Sequence, residues 1–83
     1  MKEEERQAKL EQLARCAELA EQAYDAMYEA HSFTQANACY SDAKEAFYDA
    51  IQCAEELGLP EQADSLEKRL SHIKSVFRSQ FTL

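Results

Sequence analysis

The chain has 83 residues, 46% of them hydrophobic and 30% charged, with one glycine, one proline and a formal net charge of -7. A chain of this length holds one domain, and its apolar share excludes disorder. The negative balance excludes nucleic-acid and membrane-surface roles, and no apolar run approaches the roughly 20 residues of a membrane span.

So little Gly and Pro leaves room for very few turns, and an all-α chain follows. The first apolar row is Leu10, Leu13, Ala17, Ala20, Tyr24 and Met27, with His31 next in phase. Its alternating three- and four-residue steps are those of a packed helix. A parallel row, Cys16, Leu19, Ala23, Ala26 and Ala30, widens the stripe and predicts contact with two neighbours.

The second row is Phe33, Ala36, Tyr40, Ala43, Phe47, Ala50, Ala54 and Leu57. Ser32 is a candidate N-cap with Gln35 three residues on, as a capping box requires. A rival boundary lies at Asn37–Tyr40, with Ser41 as the cap. We favour the earlier break, which makes the first two helices similar in length. Gly58 can close the second helix in the left-handed conformation. Pro60 suits the first turn of a third helix, whose row is Leu59, Ala63, Leu66, Leu70, Ile73 and Phe77. Glu61 and Asp64 favour its positive end. The expected helices are about 4–31, 33–57 and 60–80, and short loops make neighbours antiparallel. Met1 to Glu4 and Thr82 to Leu83 are expected to fray.

Residues 1–56 carry a net charge of -8 and residues 57–83 a net of +1. Lys68, Arg69, Lys74 and Arg78 make the last helix the one mildly basic part. The carboxylates of the first helix, Glu18, Glu21, Asp25 and Glu29 among them, read as a solvated face. They could instead hold a basic partner. Cys16, Cys39 and Cys53 are odd in number and lack zinc-knuckle spacing, which fits small apolar packing in a reducing compartment. The opening residues lack the apolar stretch of a signal peptide, so a cytoplasmic protein is expected.

The string Tyr40-Ser41-Asp42-Ala43-Lys44-Glu45-Ala46-Phe47-Tyr48-Asp49-Ala50-Ile51 sets Ala43, Phe47 and Ala50 on one face, small, large, small. It resembles the second helix of a tetratricopeptide hairpin, and the likeness extends over about Met27 to Ile73. The residues aligned with that family's first-helix Trp, Leu-Gly and Tyr are Met27, Ala30, His31 and Thr34, which depart from the pattern. The resemblance implies helical-hairpin packing, and the family's use is docking a peptide in a concave groove. A plain up-down-up bundle remains the other reading.

Neither His31 nor His72 has a metal-ligand or catalytic neighbour at helical spacing, and His31 is expected as a capping or core residue. Tyr24, Phe33, Tyr40, Phe47 and Phe77 fall on the seams and should be core. Tyr28 falls at the edge of the first seam and Tyr48 on the outer face of the second helix. Exposed tyrosines are favoured at interfaces.

The reading is an all-α, three-helix antiparallel bundle with tetratricopeptide-like packing, spanning 1–83. The expected function is a small cytoplasmic protein–protein interaction module that self-associates, with no catalytic activity, cofactor or metal. Tyr28, Tyr48 and Ile51 are its candidate partner-binding residues. The alternative is an acidic inhibitor or antidote that covers a basic surface on a target.

Overall fold

In the computed structural model, which describes residues 2–81, three helices account for almost the whole chain. They are α1 (Glu3–Glu29), α2 (Phe33–Glu56) and α3 (Pro60–Gln80), with no strand among the described residues. The all-α three-helix bundle is therefore the observed fold. α1 is already helical at Glu3, where fraying was expected. The same expectation for Met1, Thr82 and Leu83 lies outside the described residues.

Both turns follow from local chemistry. The Gln35 N–H donates to Ser32 Oγ at 3.1 Å, and Gln35 Oε1 accepts from the His31 N–H at 2.8 Å. Ser32 thus caps α2 while Gln35 reaches back one residue beyond the cap, so the earlier of the two boundaries is the observed one. At the other turn Gly58 has φ +71. Its N–H reaches the Glu55 carbonyl at 3.0 Å, and the Leu59 N–H reaches the Ala54 carbonyl at 2.9 Å. This is a Schellman closure, which satisfies the carbonyls left over at the end of α2. Pro60 then occupies the first turn of α3.

α2 packs along both other helices, while α1 and α3 approach each other far less closely. The α1–α2 seam is built from alanines: Ala20, Ala43, Ala50 and Ala54 are fully buried. Small side chains there let two helices lie close together. One core cluster holds Met27, Phe47, Leu70, Ile73 and Phe77, where α1 and α3 end and α2 begins. A second holds Leu13, Cys53, Ala54, Leu57 and Ala63 at the opposite end. Leu66 packs against both. The radius of gyration is 14.0 Å, against about 12 Å for a compact chain of this length.

Three seam assignments need correction. Phe33 was expected in the core but is 56% exposed. It is the first residue of α2, beyond the end of α1, and only leans on Phe77 with ring centres 6.1 Å apart. His31 is exposed in the turn, because α1 stops at Glu29 before its row can be completed. Leu19, read as a second contact row, is 53% exposed.

Candidate functional site

The three candidate partner-binding residues do not form one patch. Ile51 is buried in the main core cluster and is not available to a partner. It follows Ala50 on an arc of α2 that faces both neighbours, so its burial reflects the central position of that helix. Tyr28 and Tyr48 are each about half exposed, as expected. Tyr28 shares a 3.1 Å hydroxyl hydrogen bond with Tyr24 and meets the Phe81 ring edge-on at 5.7 Å. Tyr48 accepts a 2.8 Å hydrogen bond from Lys74 Nζ. Lys74 and Phe81 are seven residues apart, so the two tyrosines are held at levels about 10 Å apart along α3.

A surface absent from the sequence reading lies between α1 and α3. These helices make few contacts and leave a groove of about 360 Å³ between them. Leu10, Leu13, Ala14 and Ala17 line it from α1, and Leu66 with Gln62 from α3. Ala14 is exposed and Leu10, Ala17 and Leu66 are half-buried, so the lining is apolar and open to solvent. The signal in the sequence was present: Ala14 adjoins the first apolar row at helical spacing. What the row could not convey is the distance between α1 and α3.

An ion pair joins the two helices beyond this groove. Arg69 Nε and Nη2 each donate to Glu21 at 2.8 Å, and the guanidinium lies 4.9 Å from the centre of the Tyr24 ring. Glu21 is one turn beyond Ala17, and Arg69 one turn beyond Leu66. At the other end Arg6 Nη1 donates to the Leu57 carbonyl at 3.2 Å, and Lys9 pairs with Glu56. Both contacts put cations at the negative end of α2.

A second groove, of about 480 Å³, lies between α1 and α2 around Leu19. Ala23 and Ala46 form its floor beside Leu19, and Asp42, Glu45 and Asp49 form the α2 wall.

Two groups in the core titrate above their ordinary values. Burial pushes the Cys53 thiol above its ordinary value, which suppresses the thiolate. The Tyr24 phenol is also raised, first by its hydrogen bond to Tyr28 and then by burial. Cys16 and Cys39 are half-buried thiols, and no group of three or more His, Cys, Asp or Glu side chains is placed to hold a metal ion among the described residues. No helix among them is long and apolar enough to cross a membrane. Both grooves described above lie between helices and present apolar side chains to solvent.

Comparison of the chain with known protein families, with curated proteins and with solved structures finds no match.

Proposed function

We propose that the protein is a cytoplasmic protein–protein interaction module without catalytic activity, which pairs with a second copy of itself through the groove between α1 and α3. The observation that carries this reading is the groove itself: Leu10, Ala14, Ala17 and Leu66 form an apolar trough that no part of the described chain covers. A chain this short buries only about two-thirds of its unfolded surface, so closing the trough with another helix adds core where the fold has least. Specific interfaces bury on the order of 800 Å² per partner, with an apolar centre and a polar rim. The trough supplies the centre, and the exposed flanks of α1 and α3 the rim. Three free cysteines support a reducing compartment. The likeness of Tyr40–Ile51 to a tetratricopeptide second helix points the same way, since that family docks peptides in a groove. A partner of nucleic acid is disfavoured by the net charge of -7.

Size-exclusion chromatography with light scattering tests the pairing. The expected mass at tens of micromolar is twice the 9.5 kDa of one chain. Ala14→Glu, at an exposed site in the trough, should return the monomer with its helical circular dichroism unchanged. A parent protein that stays monomeric at that concentration overturns the proposal.

A further inference from the structure

The groove around Leu19 is a second surface, on the α1–α2 side of the bundle. Leu19 is 53% exposed, one of the few large apolar side chains in such a position. The floor beside it is made by Ala23 and Ala46, small enough for another backbone to come close. Along one wall run Asp42, Glu45 and Asp49, spaced three and four residues apart on α2. Side chains at that spacing are surface neighbours, with Cβ atoms about 5–6 Å apart. None of the three forms an ion pair among the described residues. They therefore present three uncompensated charges in a row beside an apolar strip.

The complement of that surface is a helix with lysines or arginines at the same three- and four-residue spacing, next to an apolar row. From this we infer that the Leu19 groove docks a cationic amphipathic helix of another protein. The basic residues would face Asp42, Glu45 and Asp49, and the apolar row would cover Leu19, Ala23 and Ala46. A second copy of this chain is a weaker occupant: in its own run at that spacing, Lys2, Arg6 and Lys9, Arg6 donates to the Leu57 carbonyl and Lys9 pairs with Glu56, and three cations of its last helix are also engaged. Lys68 is held by Asp64, Arg69 by Glu21 and Lys74 by Tyr48. Anionic nucleic acid and lipid surfaces are repelled by the same carboxylates. The inference is independent of self-association, which uses the opposite groove.

The test is a titration of isotope-labelled full-length protein, followed by amide chemical shifts, with two synthetic peptides. The first is a helical peptide of lysine, leucine and alanine with its lysines at three- and four-residue spacing and its leucines beside them. The second keeps every lysine and replaces the leucines with serine. The first should shift the amides of Leu19, Ala23 and Ala46, and bind about tenfold more tightly than the second, the order given by burying one large apolar side chain. Leu19→Ser should abolish that preference. The triple variant Asp42→Asn, Glu45→Gln, Asp49→Asn should weaken the first peptide by about tenfold, as the loss of three exposed ion pairs implies. It should also flatten the salt dependence of binding. All four positions are exposed, and circular dichroism checks that the variants stay folded. Equal binding of the two peptides would reveal surface charge attraction only and overturn the inference. So would shifts centred on the α1–α3 groove, or no binding at all. Light scattering on the same samples reports self-association separately, so failure of one proposal is distinguishable from failure of the other.

Discussion

Arg69 on α3 grips Glu21 on α1 with two parallel hydrogen bonds of 2.8 Å, and the same guanidinium lies over the Tyr24 ring. These helices otherwise meet little, since α2 runs between them. The pair joins α1 to α3 one turn beyond Ala17 and Leu66, next to the groove those residues line. Two-pronged pairing also sets the guanidinium plane, which a lysine could not do.

The clamp should be measurable but small. Both side chains are about 40% exposed, at 40% and 43%, so water screens the pair. A double-mutant cycle with Arg69→Met and Glu21→Gln should give a coupling of roughly 0.2–1 kcal/mol in urea unfolding. Methionine retains much of the packing against Tyr24, so the cycle isolates the charge. A coupling indistinguishable from zero would remove the clamp from this account.

Phe47 and Phe33 stand on the same predicted row but should respond very differently to truncation. Phe47 is 1% exposed in the centre of the main cluster, whereas Phe33 is 56% exposed. Phe47→Ala should lower the unfolding free energy by about 3–5 kcal/mol. Small domains have only about 5–15 kcal/mol in total. Phe33→Ala should cost less than about 1 kcal/mol, through its contact with Phe77. Similar losses for the two variants, measured by chemical denaturation, would contradict the assigned burial.

The contrast between these phenylalanines shows what periodicity can and cannot convey. It gives the phase of a stripe, and so it identified α2, while the Ser32 cap is read from Gln35 three residues on and the closure from Gly58 itself. It does not tell where the facing helix stops, and α1 stops before it could cover Phe33 or bring His31 into the core. Nor does it give the width of the buried arc. Because α2 touches both neighbours, Ile51 is drawn inside along with Ala50. On α1 the arc is narrower, and Leu19 is left out. The groove beside Leu10 and Ala14 depends on the separation of two helices that share no turn. No residue pattern in either helix encodes that separation.

Gly58 should resist substitution through its backbone alone. A Cβ built there meets no atom within 4 Å, yet φ is +71. Gly58→Ala should therefore cost about 1–2 kcal/mol from left-handed strain, with no packing contribution. Gly58→Asn should cost less, since asparagine tolerates this conformation better. A thermal midpoint unchanged in the alanine variant would show that the Schellman closure is not a determinant of stability.

Stability should fall on both sides of neutral pH, and the groups responsible differ. Lys9 holds Glu56 below its ordinary 4.5 through their hydrogen bond and its charge. A carboxyl lowered in the folded state stabilises above its unfolded value and loses that contribution as pH falls through the folded one. On the alkaline side the raised groups with the lowest ordinary values are Cys53, Tyr24 and Lys9. Cys53 lies above 9.0 because of burial, Tyr24 above 10.0 because of Tyr28 and burial, and Lys9 above 10.5 because of Glu56. A raised folded value means full stabilisation below the unfolded value and loss as pH rises through the folded one. The thermal midpoint should thus hold up to about pH 9 and then decline, with Cys53 contributing first. Cys53→Ala should remove the earliest part of that decline, and Glu56→Gln should remove the Lys9 contribution at higher pH and the acid-side loss through Glu56. A midpoint that stays level across the alkaline range, or a Cys53→Ala curve parallel to the parent, would show that these buried and paired groups are not what couples the fold to protons.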